Sequence, residues 1–213
     1  MRIHDVSLTL SPDLPVWPGD PQVSLERVRK IEEGANSNVS KLTLHVHSGT
    51  HIDAPAHMID NGNTLDQLPA EHFCGNALII KTLINRNIDF EILKGSETEI
   101  SKSEFVLFQT GWGQFWGTPK YFGRFPVLTK DAVEFLLQFH LKGIGFDHIS
   151  ADPMDSQDYP NHLAILGKNL IIIENLVFTD GFTECNGEFS CFPLPYENAD
   201  GSPVRVVLKC KRA

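Results

Sequence analysis

The sequence predicts an α/β fold in which a mixed β-sheet forms the core and helices flank it. Short runs rich in β-branched and aromatic residues recur along the chain, and Gly, Pro and Asn separate them. One longer segment has the periodicity of an amphipathic helix. The 213 residues contain no internal repeat and no linker, so we expect all elements to share one core in a single domain over residues 1–213.

The β-rich runs predict seven strands. In one of them Leu42, Leu44 and Val46 alternate with polar residues that include His45 and His47, so this strand has an apolar face and a polar face. The predicted strands cover residues 2–10, 41–47, 76–83, 105–109, 143–146, 170–173 and 204–209.

The amphipathic segment predicts a helix over residues 131–140. Thr129 is placed to cap its N-terminus, apolar side chains recur on one face, and Gly143 suits the left-handed position just beyond its end. A second and shorter helix is predicted to begin near Pro55.

Composition and charge exclude several classes of partner. The chain has 18 Lys and Arg against 27 Asp and Glu, a net charge of −9 that repels phosphate backbones and anionic membranes. We therefore expect neither a nucleic acid nor a membrane as partner. The first five residues lack the apolar stretch of a signal peptide, so we expect a cytoplasmic protein whose four cysteines are free thiols.

The histidines are numerous and clustered, because four of the nine fall between residues 45 and 57. His47, His51 and Asp53 place two imidazoles and a carboxylate on one short loop after a strand, where a glycine and a proline interrupt regular pairing. This donor set suits zinc and, to a lesser degree, manganese or iron. His57 follows closely enough to act on whatever the metal holds.

The other histidines have simpler interpretations. A packed or solvated side chain is the usual role of a single strand histidine, and we assign it to His45. His4, His72 and His140 are interpreted as structural, and the role of His148 stays open.

Residues 112–125 hold six aromatic side chains interrupted by three glycines. Such a segment could cover a flat aromatic substrate, pack against a second subunit or join the core, and we favour the subunit interface.

The string HSGTHIDAPAH at residues 47–57 closely resembles the H-x-G-T-H-x-D-x-P-x-H signature of the metal-dependent cyclase family, which includes bacterial kynurenine formamidases. Other segments resemble further motifs of that family, in the same order along the chain. They are W-P-G-D within residues 15–20, T-G-W within residues 109–112, a histidine-bearing loop at residues 159–162 and E-N-L within residues 173–176.

The resemblance implies the swivelling β/β/α-like fold of this family and a site for two divalent metal ions, with Zn²⁺ favoured over Mn²⁺. It implies that His47, His51 and Asp53 hold the first ion. A bridging Asp53, together with His162 and Glu174, would hold the second.

The resemblance also implies an activity. His57 would transfer protons and Trp17 would line the substrate pocket of a metal-dependent amide hydrolase. The implied enzyme is an arylformamidase that converts N-formyl-L-kynurenine to L-kynurenine and formate. A small aromatic amide would be its substrate, and a homodimer or higher homo-oligomer its assembly. The sequence has no G-x-S-x-G motif, which argues against a serine nucleophile.

Two of these residues can also be considered without the resemblance. Glu174 interrupts an apolar run where a buried strand would otherwise continue, and a buried carboxylate needs a cation or a hydrogen-bond partner. His162 lies in a proline-containing loop without a local partner, and the residues leave it open between a surface side chain and a ligand.

Two further functions stay open. The same metal site could open a cyclic amide or a lactone, as in an isatin hydrolase-like enzyme, and Met58, where the family often has phenylalanine, bears on this choice of substrate. The chain could also be a metal-stabilised binding protein without turnover, although its retention of His57 favours an enzyme.

Overall fold

A computed structural model describes residues 2–178 and 186–210. Its strands are β1 (Arg2–Asp5), β2 (Ser24–Arg29), β3 (Val39–Thr43), β4 (His51–Asp53), β5 (Cys74–Lys81), β6 (Phe105–Gln109), β7 (Gly143–Phe146), β8 (Ile171–Glu174), β9 (Gly187–Ser190), β10 (Gly201–Pro203) and β11 (Val207–Cys210). The α-helices in these residues are α1 (Phe90–Leu93), α2 (Glu97–Ile100), α3 (Lys130–Leu136) and α4 (Pro160–Leu166).

Within the described residues, nine strands form one mixed sheet in the order β1-β11-β9-β5-β6-β7-β8-β4-β10. The central strands β5, β6, β7 and β8 run parallel to one another. Antiparallel strands extend the sheet on both sides, and β4 pairs with β8 and β10 on one of them. A separate antiparallel pair, β2 and β3, is mostly exposed.

The parallel strands are covered on both faces. Phe105 and Leu107 of β6 join one apolar cluster, whereas Val106 and Phe108 join a second cluster that also contains residues of α3 and α4. Side chains of a strand alternate between the faces of its sheet, so a strand buried on both sides is apolar at every position. The predicted α/β class, with a mixed sheet and flanking helices, is confirmed.

Two of the seven predicted strands match to the residue, and the other five differ at one or both ends. The strands β6 and β7 have the predicted bounds. The first strand ends at Asp5, earlier than predicted. The strand predicted over residues 41–47 is wrong at its end, because β3 stops at Thr43 and residues 46–50 form a turn and bends. His47 therefore lies in a turn, while His51 begins the buried strand β4.

The predicted long helix is shorter than expected. Thr129 is its N-cap residue, but α3 ends at Leu136 and does not reach His140. Gly143 is not its C-cap, because this residue begins β7 and has no positive φ. A Cβ atom at Gly143 would lie 2.7 Å from Ile171 Cγ1 and 3.0 Å from the Ile171 carbonyl oxygen. Glycine therefore allows β7 and β8 to pack closely.

The helix α4 was not predicted, because residues 159–162 were assigned to a loop. Pro160 occupies the first position of this helix, where its missing N–H has no intrahelical partner to lose. The helix predicted near Pro55 is a 3₁₀ turn, Pro55–His57. Among the residues described, none of the helices is both long and apolar enough to cross a membrane.

The cysteines differ from the prediction of four free thiols. Cys74 and Cys191 are free, whereas Cys210 is disulfide-bonded, so the prediction is wrong for Cys210. Cys185 lies outside the described residues.

Replacing Gly143 with alanine is expected to lower the free energy of unfolding by about 1–3 kcal/mol, since the new methyl group would crowd both the side chain and the carbonyl oxygen of Ile171. Urea unfolding measures the change. Gly113→Ala is the control, because its Cβ would lie 3.7 Å from the nearest atom, an ordinary contact. Equal stability of the two variants would contradict the packing role of Gly143.

Candidate metal centre

The five residues assigned to metal binding meet at the edge of the parallel strands. His51 and Asp53 lie on β4, and His51 is directly opposite Glu174, the last residue of β8. His47 lies on the turn before β4, and His162 lies on α4. Two strands, a turn and a helix therefore deliver one cluster of side chains.

Asp53 is at the centre of this cluster. Its Oδ1 atom is 2.7 Å from His47 Nδ1 and 3.4 Å from His51 Nε2, whereas its Oδ2 atom is 3.8 Å from His162 Nε2. Glu174 lies opposite, with Oε2 at 3.5 Å from His51 Nε2 and Oε1 at 3.4 Å from His162 Nε2. All of these residues except the half-buried His47 are buried.

Ligand atoms of Asp53 belong to two overlapping groups that could hold a cation. His51 and Glu174 form one group with Asp53, and His47 and His57 form the other. The possible ligand atoms of each group lie within 4.8 Å of one another. Imidazole nitrogens and carboxylate oxygens at such separations fit a divalent transition metal or zinc.

Two of the imidazole rings are held by partners outside the cluster. His51 Nδ1 is 2.9 Å from the Gly49 carbonyl oxygen and donates to it. His162 Nδ1 is 2.7 Å from Asp152 Oδ2. Metal-binding histidines usually donate their second N–H in this way, which fixes the tautomer and aims the other nitrogen at the metal.

The charges of the cluster also fit a cation. Burial raises the pKa of Glu174, and the neighbouring Asp53 charge adds to this. Burial opposes protonation of His162, but hydrogen bonds to Asp152 and Glu174 outweigh it and raise the pKa of His162 to about 10. The proton on His162 thus helps to balance the buried carboxylates, and a divalent cation can take its place.

His57 lies on the 3₁₀ turn after β4, beside the cluster. Its ring centroid is 4.0 Å from that of His47 and 6.4 Å from that of His162. Burial is the main cause that lowers the pKa of His57 below its usual value of 6.5, so the ring is neutral near pH 7. A neutral imidazole can accept a proton and later donate it.

A cavity of about 230 Å³ opens onto the cluster. Trp17 lies in its wall, together with Met58, Ile149 and Tyr159. The cavity thus combines a polar floor with apolar and aromatic walls, as is typical of a small-molecule site.

Two histidines that the sequence set apart lie outside the cluster. His45 is exposed and its Nδ1 is 3.2 Å from Asp20 Oδ2. His148, whose role was open, is fully buried, donates to the Ser150 carbonyl oxygen at 2.9 Å and stacks on Phe125. Both contacts are structural.

Asn175 of the E-N-L motif holds the loop that precedes His51. Its Nδ2 donates to the Gly49 carbonyl oxygen at 2.8 Å, and Thr50 Oγ1 donates to the Asn175 carbonyl oxygen at 2.6 Å. The Tyr121 hydroxyl donates to Asn175 Oδ1. This motif therefore ties the metal-site loop to the aromatic segment.

The aromatic segment, residues 112–125, packs inside the chain. Trp112, Tyr121 and Phe125 are buried in one apolar cluster, and Trp112 Nε1 donates to the Tyr121 carbonyl oxygen at 2.9 Å. Core packing, rather than the subunit interface that we favoured, accounts for these three side chains.

The T-G-W motif encloses the carboxylate of Asp147, which follows β7. The backbone N–H groups of Thr110 and Gly111 donate to it at 3.1 and 2.8 Å, and the Thr110 hydroxyl donates as well. Burial nevertheless raises the pKa of Asp147 to about 6.

Two aspartates near the site were missed by sequence reasoning. Asp152 contacts His162, and Asp200 Oδ2 is 3.2 Å from His47 Nε2. The second pair is separated by 153 positions in the sequence, so no local spacing could indicate it.

Comparison with known sequences identifies the class of protein to which this fold and this cluster belong. Residues 4–153 match the model of the Cyclase family, described as "Putative cyclase". The chain is also 33% identical over 208 residues to the kynurenine formamidase of Erythrobacter litoralis, covering 98% of this chain and 94% of the relative. The chain belongs to the Cyclase family, which confirms the resemblance found in its motifs.

Solved structures have the same fold. Isatin hydrolase A from Labrenzia aggregata, bound to benzyl benzoate, superposes with a TM-score of 0.84 at 26% identity, covering 97% of this chain and 92% of that one. A predicted metal-dependent hydrolase from Bacillus stearothermophilus has a TM-score of 0.79 at 26% identity, covering 97% of both chains.

The raised pKa of Asp147 predicts a pH dependence of stability. The folded protein keeps this proton up to about pH 6, whereas the unfolded chain loses it near pH 3.8, so the free energy of unfolding falls as the pH rises between these values. Asn cannot release this proton, so over the same pH range the free energy of unfolding of Asp147→Asn is expected to fall by about 2–3 kcal/mol less than that of the wild type. Urea unfolding from pH 4 to pH 6 measures it. Asp155→Asn, on an exposed residue, should retain the wild-type profile. If Asp147→Asn also kept the wild-type dependence of unfolding free energy on pH, the prediction would be wrong.

Proposed function

We propose that the protein is an arylformamidase, a metal-dependent amide hydrolase that converts N-formyl-L-kynurenine to L-kynurenine and formate. The observation that carries this proposal is the cluster of buried imidazoles and carboxylates on the floor of a cavity with aromatic walls. The proposal is also supported by relatives, because the chain is similar over nearly its whole length to proteins named kynurenine formamidase.

We infer that the cluster holds two divalent ions, Zn²⁺ in preference to Mn²⁺. His47, His51 and Asp53 are the proposed ligands of one ion, and Asp53, His162 and Glu174 are those of the other. The position of Asp53 supports this division, because its two oxygens face different histidines. Divalent ions in such a site acidify water and polarise a carbonyl group when they are bound.

His57 is the proposed proton-transfer residue. It is neutral near pH 7, so it can take a proton as the water oxygen attacks the formyl carbon. The same imidazole then gives the proton to the aniline nitrogen as the C–N bond breaks. Formate and the free amine are the products, and no covalent intermediate with the protein is needed.

The cavity walls are suited to the aryl group of the substrate. Trp17 and Tyr159 offer aromatic surface, while Met58 and Ile149 offer aliphatic surface. We infer that these side chains hold the ring while the formyl group faces the cluster. The walls would also admit other flat amides of similar size.

A cyclic amide is the second candidate substrate. The similarity to isatin hydrolase A, at a TM-score of 0.84, favours it. Ring opening would use the same groups, because the bond broken is again an amide C–N bond and His57 again supplies the proton to nitrogen.

We also infer a homodimer or higher homo-oligomer. Leu25 and Leu42 support this, because they are directly opposite each other in the exposed pair β2–β3 and are 52% and 47% exposed. Exposed apolar side chains that lie side by side, rather than singly, favour a contact surface.

Protein loaded with Zn²⁺ or Mn²⁺ is expected to release formate and kynurenine from N-formyl-L-kynurenine, and to lose this activity after treatment with a chelator. Isatin, assayed in parallel at the same concentration, distinguishes the two substrates. Faster hydrolysis of isatin would replace the first candidate with the second, and hydrolysis of neither would contradict both.

Replacing His57 with alanine is expected to lower kcat by about 10²–10⁴, as for the loss of a general acid–base group. Metal content, measured by elemental analysis, should stay at the wild-type value, because the five proposed ligands remain. The control is His140→Ala, since His140 is exposed and lies beyond the end of α3. A His57→Ala enzyme with wild-type kcat would show that another group moves the proton.

A further inference from the structure

The ring of His47 has a carboxylate on each side. Its Nδ1 is 2.7 Å from Asp53 Oδ1, inside the proposed metal site, and its Nε2 is 3.2 Å from Asp200 Oδ2, outside it. The carboxylate of Asp200 is about half exposed, whereas that of Asp53 is buried. The two sides of the ring therefore meet two chemically different carboxylates.

This arrangement repeats the one found at the other two histidines. His51 has a carbonyl oxygen, that of Gly49, on the nitrogen turned away from the cluster, and His162 has the carboxylate of Asp152 there. In each case the remaining nitrogen points at the central carboxylates. Asp200 occupies the corresponding place for His47 and completes the pattern.

The backbone holds Asp200 at this position. Its carbonyl oxygen accepts a hydrogen bond from the Ala54 N–H at 2.8 Å, and the next residue, Gly201, pairs with Asp53 in the sheet. The His47 ring lies directly on this backbone, because a Cβ atom at Gly201 would be 2.4 Å from His47 Cε1. The strand pair β4–β10 thus forms the surface on which the His47 ring packs, and Asp200 lies at the end of that surface.

We propose that Asp200 is the positioning residue of His47, and this inference rests on the proposed metal-dependent function. The carboxylate accepts the Nε2–H of His47, so the Nε2 proton stays on that side and Nδ1 becomes the ligand atom beside Asp53. A carboxylate in this role also makes the imidazole a stronger donor to a metal. The same Oδ2 atom is 3.9 Å from Nδ1 of His57, whose ring lies against that of His47, so Asp200 faces both rings.

The test is the affinity of the apo-protein for Zn²⁺, measured without substrate by competition with a chromogenic chelator. Asp200→Ala is expected to weaken the binding of one ion by about 10–100-fold, as for the loss of other such partners of metal ligands. Asp200→Asn retains an oxygen that can accept the Nε2–H and is expected to recover most of the affinity. Asp13→Ala, on an exposed aspartate, is the matched control and should bind Zn²⁺ as the wild type does.

Thermal unfolding of the apo-protein separates positioning from folding. Asp200→Ala should lower the apo Tm by no more than about 4 °C, because a half-exposed ion pair with His47 contributes at most about 1 kcal/mol and the hydrogen bond to Ala54 uses only the backbone of Asp200. Wild-type Zn²⁺ affinity in Asp200→Ala would overturn the inference, as would an Asp200→Asn protein that binds as weakly as Asp200→Ala. Failure of the wild type to bind Zn²⁺ would overturn it together with the proposed function. A wild type that binds Zn²⁺ but does not hydrolyse N-formyl-L-kynurenine would contradict the proposed function only.

Discussion

The buried carboxylate of Asp53 is the charge on which the rest of the site depends. A carboxylate removed from water is costly unless hydrogen bonds or cations compensate it, and here His47, His51 and His162 surround it. Hydrogen bonds from His47 and His51 overcome the effect of burial and hold the pKa of Asp53 well below its usual value. The site is therefore built around a buried negative charge that the surrounding imidazoles stabilise.

Strand order explains how those partners reach Asp53. The strand β4 is short, but it is inserted between β8 and β10, so both of its backbone edges are paired. Its neighbour β8 ends in Glu174, which brings the second carboxylate opposite His51. Its neighbour β10 begins beside Asp200, which brings the third carboxylate to His47. Residues far apart in sequence thus meet because one short strand has two antiparallel neighbours.

Rigidity of the rings matters for the proposed chemistry. Asn175 binds Gly49, and the Gly49 carbonyl oxygen also accepts from His51, so one hydrogen-bond network links β8, the loop and a proposed ligand. Such networks keep ligand nitrogens oriented before a metal or a substrate arrives, which limits the reorganisation needed during reaction. His57 lies beside this framework and makes none of these hydrogen bonds, which suits a side chain that must gain and lose a proton.

The sequence by itself determined the α/β class, the bounds of β6 and β7, and the set of His47, His51 and Asp53 as candidate ligands, because periodicity and donor chemistry are local properties. Its motifs identified the family. Only the tertiary structure decided that His162 lies on a helix, that Gly143 serves strand packing, and that Asp152 and Asp200 hold two of the rings. These features depend on which strands pair and which elements pack together. Pairing is set by contacts between residues distant in the chain, which no local pattern records.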